Sequence, residues 1–357
     1  MPVPKSRDPE LARRDLARWL AKRLPDAETV AVTRFEQPRT SGFSNETILF
    51  DVETTRGCEV RRHELVARVT PTRYGLFPDH DLDLQRRMLE VMAGTPVPVP
   101  RVLWRGEAEE SPFGARFFVM ERIAGRAADD TPPYTRRGWL FDATPEEQRR
   151  VYVEGLRQLV RVAALDWREL GVDFLVDPRL GPPGLAQELA YWEGFLAWAL
   201  AGRASPLLEE TFAWLSAHAP PEGPLRLSWG DSRPGNILYR DACAVAVLDW
   251  EMASLSPREA DLGFWLAYKE FQSTGYGFPE LPGFPDKRDT IALYEELAGT
   301  PVRDVDWWEL FGIFRLGVIL LRLRDMMVET GVLAAGAARG PETPAFRVIE
   351  KLRAAQA

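Results

Sequence analysis

The stretch from Leu227 to Asp249, LSWGDSRPGNILYRDACAVAVLD, constrains this chain more than any other. Ile237 to Tyr239 and Val245 to Leu248 are β-branched or apolar, and Arg240 to Ala244 between them is polar or small, so the segment reads as a hairpin. A turn centred between Ala242 and Cys243 pairs 239 with 246, 238 with 247, 237 with 248 and then Asn236 with Asp249. An amide and a carboxylate are therefore expected side by side at the open end, at the strand-pair scale of about 5 Å, facing the loop that carries Asp231. Hard oxygen ligands of this kind suit Mg²⁺, which prefers one or two carboxylates plus substrate phosphates.

The 357 residues are enough for two lobes with separate cores, and 45% hydrophobic with 27% charged residues is ordinary for a globular protein. A net charge of −8 with no basic stripe argues against nucleic acid as a partner. Cys58 and Cys243, the only cysteines, lack metal-ligand spacing and fit a reducing compartment. The N-terminal stretch mixes acids with bases and lacks the apolar core of a signal peptide, and no window reaches the roughly 20 apolar residues of a membrane span. A cytoplasmic location is the expectation.

The first third alternates strands and turns. Leu16, Trp19, Leu20 and Leu24 make an amphipathic helix ended by Pro25, followed by strands at Val30–Phe35, Thr47–Glu53 and Glu64–Val69. Between the first two strands, RTSGFSN (39–45) is a small polar loop whose backbone N–H groups can approach an anion, with Ser44 and Asn45 adding side-chain donors. Arg68 stands alone as the charge at the end of the third strand. A short helix at Asp83–Ala93, the proline connector TPVPVPR (95–101) and a strand pair at Val102–Arg105 and Arg116–Glu121 complete a small lobe. IAGR (123–126) reads as a hinge out of it. Beyond Thr144 everything except the hairpin reads as helix, giving an α+β chain with an N-terminal lobe at 1–122 and a helical C-terminal lobe at 123–357.

WGDSRPGN, LDWE and the triplet Ala260-Asp261-Leu262 resemble the aminoglycoside phosphotransferase and choline kinase branch of the protein-kinase-like fold, and more closely the phosphotransferase-like domain fused to some acyl-CoA dehydrogenases. The resemblance covers nearly the whole chain. It implies a bilobal fold with a small antiparallel-sheet lobe carrying one main helix, and a nucleotide-dependent small-molecule kinase using ATP or GTP with Mg²⁺. Carried over residue by residue, Asp231 would be the catalytic base, Arg233 would sit near the transferring phosphoryl, and Asn236 and Asp249 would hold the metal. Ser41, Gly42, Ser44 and Asn45 would cover the phosphates, Met120 would be the gatekeeper, and the Glu121 carbonyl and Ile123 N–H would meet the adenine edge.

Two departures stand out. Trp229 replaces the family's histidine before Gly-Asp, which predicts altered packing with the chemistry kept. No lysine lies between the phosphate loop and the hinge, so Arg68 is the phosphate cation by exclusion, and its helix partner aligns with Gln85 where kinases have glutamate, with Glu90 facing away. The leading function is transfer of a γ-phosphate to a small-molecule hydroxyl, with a hydroxyacyl-CoA-like metabolite favoured over an aminoglycoside. A silent nucleotide- or metabolite-binding module is the alternative of another class.

Overall fold

A computed structural model describes residues 8–38, 44–71, 75–79, 81–334 and 343–356. The chain divides into two compact units, one of Met1–Glu90, Pro100–Ile123 and Leu323–Ala335, the other of Val91–Val99, Ala124–Arg322 and Gly336–Ala357.

The first unit is built on helix α1 (Pro9–Ala21), strands β1 (Thr29–Glu36), β2 (Glu46–Arg56) and β3 (Glu59–Val69), helix α2 (Leu82–Met92), and strands β4 (Val102–Gly106) and β5 (Phe117–Glu121). The strands form one antiparallel sheet in the order β1-β2-β3-β5-β4. Helix α1 starts where Asp8 accepts hydrogen bonds from the Glu10 and Leu11 backbone N–H groups and Pro9 needs none. Its apolar face, Ala12, Leu16, Trp19 and Leu20, joins one buried cluster with Ile48, Phe50 and Val52 of β2, Leu65, Ala67 and Val69 of β3, and Phe117 and Val119 of β5. Burial of this one stripe, rather than helix propensity, holds α1 in place.

The second unit contains helices α3 (Trp139–Asp142), α4 (Pro145–Ala164), α5 (Leu185–Leu200) and α6 (Pro206–Ala217), strands β6 (Arg226–Ser228), β7 (Ile237–Arg240), β8 (Cys243–Val247) and β9 (Ser254–Ser256), helices α7 (Glu259–Gln272) and α8 (Lys287–Ala298), the part of α9 (Val305–Glu329) up to Arg322, and α10 (Pro344–Ala354). Thr144 and Glu147 form a reciprocal capping box that starts α4. Helix α7 is buried at every position from Ala260 to Gln272. Its charged side chains near the C-terminal end are partnered: Lys269 donates to Glu280 and to the Pro285 carbonyl, both at 2.8 Å, and Glu270 pairs with Lys351.

Two sequence-based expectations change here. Beyond Thr144 the hairpin is not the sole β-structure, because β6 and β9 pair antiparallel on either side of it; at three residues each they are too short to carry a periodic signal. The hairpin register also differs. Its turn falls on Asp241 and Ala242, at φ 52° and 61°, the paired left-handed conformations of a tight two-residue hairpin turn. Arg240 then faces Cys243 and Tyr239 faces Ala244, but an irregularity between Leu238 and Tyr239 shifts the ladder, so that Leu238 faces Ala246 and Ile237 faces Val247. Asn236 consequently bonds to Leu248, whose N–H donates to its carbonyl at 2.8 Å. Asp249 lies one residue further on, out of the ladder, with φ 59°. The side-by-side Asn236–Asp249 pair is not formed.

Candidate active site

The loop between β6 and β7 is held from below by the first turn of α7. Asp261 Oδ1 accepts from Ser228 Oγ and from the Gly230 N–H, both at 2.9 Å, and Oδ2 accepts from the Trp229 N–H at 2.8 Å. The Asp261 carbonyl accepts from Ser232 Oγ at 2.8 Å. Burial pushes the Asp261 carboxyl up, while the two backbone N–H groups and Ser228 pull it down. Both N–H groups can only donate, so the geometry favours the carboxylate. Gly230 is a glycine of necessity: its φ is 89°, and a Cβ there would stand 2.0 Å from the Met252 carbonyl oxygen. The Gly230 carbonyl accepts from Nη2 of Arg315 at 3.2 Å, a guanidinium buried beside Phe264 and Phe311.

Asp231 is thereby fixed in direction. Its side chain is 14% exposed and takes Arg233 Nε on both oxygens, at 2.9 and 3.0 Å. Asn236 Nδ2 donates to Asp231 Oδ2 at 2.6 Å and to the Asp231 carbonyl at 3.1 Å. Burial pushes the Asp231 carboxyl above its ordinary value; Arg233 opposes this and Asp249 adds to it. Asp249 is thus close enough for its charge to be felt at Asp231, although it has left the ladder. The loop brings together Asp231, Arg233 and Asn236.

Trp229 does more than pack. Its indole N–H donates to the Leu248 carbonyl at 2.9 Å and to that of Asp249 at 3.2 Å, so a fully buried side chain ties the Asp231 loop to the segment carrying Asp249. Trp229→Phe, which keeps a ring but removes the donor, should cost about 2 kcal/mol of stability, seen as a lower denaturation midpoint at unchanged slope. An unchanged midpoint would show that these bonds carry nothing.

Within the first unit, Arg68 is buried on β3, donating from Nε to Gln85 Oε1 at 3.2 Å and from Nη1 to Thr47 Oγ1 at 2.8 Å. The neutral partner expected from sequence is the observed one, and Glu90 is instead paired with Arg86 at 2.6 Å. Ser44 and Asn45 are buried before β2, whereas Ser41 and Gly42 lie outside the described residues. Met120 is buried on β5, opposite Val66; Glu121 pairs with Arg101 at 2.7 Å, and Ile123 follows as the last residue of that segment of the unit.

Sequence reasoning missed Asp130, Tyr268 and Gln272, which join Arg233. Nη1 of Arg233 donates to Asp130 Oδ2 and, at 3.3 Å, to Tyr268 Oη; Tyr268 Oη donates to Asp130 Oδ1 at 2.6 Å; Gln272 Nε2 donates to Tyr268 Oη at 2.9 Å. A signal existed for part of this. Asp261, Tyr268 and Gln272 recur at seven and four residues along α7, one polar stripe on a buried helix.

The site is thus a half-buried carboxylate held by the arginine two residues on and the asparagine five residues on, with a second carboxylate after the hairpin near enough for its charge to act on it. Residues 36–280 match the phosphotransferase enzyme family, and the chain belongs to it. It is 27% identical over 273 residues to acyl-CoA dehydrogenase family member 10 of Mus musculus, covering 72% of this chain and 24% of that protein. It is likewise 27% identical over 254 residues to family member 11 of Gallus gallus, covering 68% of this chain and 30% of that one. The chain thus spans under a third of the length of these relatives. Among solved structures, a candidate aminoglycoside phosphotransferase from Ralstonia eutropha JMP134 aligns with a TM-score of 0.64 at 22% identity, covering 96% of this chain and 94% of that one. The GDP complex of an aminoglycoside 2′-phosphotransferase-IIIa aligns at 0.59 and 14%, covering 96% and 98%. These structures establish the α+β, protein-kinase-like fold of the aminoglycoside phosphotransferases. Among the described residues no helix is long and apolar enough to cross a membrane.

Proposed function

We propose that the chain transfers the γ-phosphoryl group of ATP or GTP to a hydroxyl of a small molecule. The observation that carries this reading is Asp231, a half-buried carboxylate fixed by Arg233 and Asn236 with its basicity raised by loss of solvent. In the reaction the acceptor oxygen forms a bond to the γ-phosphorus as the bond to the β-γ bridging oxygen breaks. The nucleoside diphosphate leaves with that electron pair, and Asp231 orients the hydroxyl and accepts its proton. Arg233, within 2.9 Å of Asp231, would be the cation that offsets charge at the transferring group.

The donor set fits Mg²⁺. The Asn236 side-chain nitrogen is committed to Asp231, which leaves its oxygen as the ligand atom alongside the Asp249 carboxylate. Among the described residues no three His, Cys, Asp or Glu side chains gather as a metal site, and a small set of hard oxygens suits an ion that keeps water and phosphate in its shell. When bound, the ion would neutralise charge on the β- and γ-phosphates. Asp249→Ala should abolish any difference in nucleotide affinity with and without Mg²⁺, measured by calorimetric titration; wild-type affinity indifferent to Mg²⁺ would remove Asp249 and Asn236 from this role.

The remaining assignments are the nucleotide contacts of Ser41, Gly42, Ser44, Asn45, Arg68 with Gln85, Met120, Glu121 and Ile123. Support for a nucleotide donor comes from related folds bound to GDP and to AMP-PNP. Arg68→Ala should weaken nucleotide binding about ten- to a hundredfold, the worth of a charge-assisted hydrogen bond; an unchanged dissociation constant would remove Arg68 from the nucleotide contacts. For the acceptor we favour a hydroxyacyl group, carried as its CoA thioester, because the similar proteins are named acyl-CoA dehydrogenase family members. Two free cysteines support a reducing, cytoplasmic setting. The test is nucleotide turnover over a panel of hydroxyacyl-CoA thioesters and aminoglycosides: phosphorylation of aminoglycosides alone would overturn the acceptor assignment, and turnover with no acceptor the whole.

A further inference from the structure

The Asp231 guanidinium contact has an uncommon form. An arginine free to choose meets a carboxylate through two parallel N–H groups, one to each oxygen. Here Arg233 offers Nε alone to both oxygens of Asp231, and its Nη1 is drawn away to Asp130, 103 residues earlier in the chain. Asp130 lies in the segment before α3, and its other oxygen is held by Tyr268 at 2.6 Å. The phenol has one hydrogen. Its oxygen already receives Gln272 Nε2 at 2.9 Å and Arg233 Nη1 at 3.3 Å, both donors only, so that hydrogen goes to Asp130. Tyr268 is buried and Gln272 fully so, which anchors Asp130 to the central helix α7.

The loop sequence itself accommodates this arrangement. A Cβ at Gly235, in the Pro-Gly-Asn turn between Arg233 and Asn236, would stand 2.6 Å from Asp130 Oδ1 and 2.7 Å from Arg233 Nη1. A side chain at that position would crowd the ends of both partners and push Asp130 and Arg233 from their observed places. Without Asp130, the guanidinium would be free to rotate into the parallel two-bond arrangement on Asp231. It would then hold Asp231 through two N–H groups rather than one, compete with Asn236 Nδ2 for Oδ2, and turn the carboxylate away from its observed direction.

We propose that Asp130 is a positioning residue: it takes one arm of Arg233 so that Asp231, held through Nε and Asn236, keeps a fixed direction. This rests on the phosphotransferase reading. In Asp130→Asn the amide oxygen still accepts from Tyr268, but the charge that draws Nη1 away is gone. The variant should lose about ten- to a hundredfold in kcat, the scale of a small misplacement of a reacting group, with the KM values for nucleotide and acceptor within about twofold. Tyr268→Phe should show a smaller loss of the same kind, and Gly235→Ala a loss like that of Asp130→Asn. Unchanged kcat, a parallel rise in KM, or a loss seen only in melting temperature would overturn the proposal.

A readout that needs no turnover separates the two claims. The ¹⁵N resonance of the Arg233 Nε–H, assigned with Arg233→Lys, should shift and lose protection from exchange in Asp130→Asn, and an unmoved signal would overturn the proposal. Absence of turnover in the wild type would sink the phosphotransferase reading and leave this signal to decide the positioning role. Turnover that depends on Asp231 but is indifferent to Asp130→Asn would sink the positioning role alone.

Discussion

Replacing Asp231 by Asn should cut kcat by on the order of 10²- to 10⁴-fold while sparing nucleotide binding, because it removes the proton acceptor and nothing proposed to touch the nucleotide. The amide also presents a donor where Arg233 and Asn236 already donate, so the orientation of the hydroxyl is lost with its base. Wild-type activity should respond to pH in the matching sense. Only the ionised carboxylate accepts a proton, and burial raises the Asp231 pKa. Turnover should therefore fall on acidification through a value above the ordinary carboxylate range near about 4, and this acid limb should be absent from the residual activity of Asp231→Asn. Full activity in that variant would remove Asp231 from the mechanism.

Asp261→Ala should give the largest loss of stability. One carboxylate serves the Ser228 hydroxyl and the N–H groups of Trp229 and Gly230, at 2.8 to 2.9 Å. Hydrogen bonds to a charged group contribute roughly 1.5–3 kcal/mol each, and the truncation leaves buried backbone donors without an acceptor. At the lower end for three such bonds, about 5 kcal/mol, and at roughly 2–4 °C per kcal/mol for a domain of this size, the melting temperature falls by about 10 °C or more. Thermal unfolding of Asp261→Ala and Asp261→Asn should show the asparagine variant as the milder, since its amide oxygen still accepts. A melting temperature within a degree or two of wild type would show that Asp261 does not hold the loop.

These two residues also mark what sequence can and cannot disclose. Asp231, Arg233 and Asn236 are separated by two and three residues, so their meeting follows from local chain geometry, and the structure brings them together through the bonds to Asp231. The strands around Arg68 and the helix bearing Gln85 were legible for the same reason: alternation and helical spacing survive in sequence, and the exclusion of lysine pointed to the arginine that does contact Gln85.

The hairpin was legible as a hairpin but not in register. Val245 falls where the ladder slips, and nothing in an apolar run distinguishes a paired valine from a bulged one. One residue of slip put Leu248 rather than Asp249 opposite Asn236, and the left-handed backbone at Asp249 has no sequence mark, since aspartate visits that conformation without being required there. Trp229 was read as bulk because its N–H partners, the Leu248 and Asp249 carbonyls, are backbone atoms that any sequence supplies. Asp130 was invisible on different grounds: its partner is distant in sequence, and an aspartate in a connecting segment looks like any other turn residue.

The most direct measurement follows the γ-phosphate itself, supplied as labelled ATP or GTP with Mg²⁺ and a panel of hydroxyacyl-CoA thioesters. The expected result is label in a phosphoester of the acceptor with wild type, and nucleotide bound but label untransferred with Asp231→Asn. Label appearing only as inorganic phosphate, or transferred equally by both proteins, would contradict the assignment of Asp231 as the base of an O-phosphotransferase.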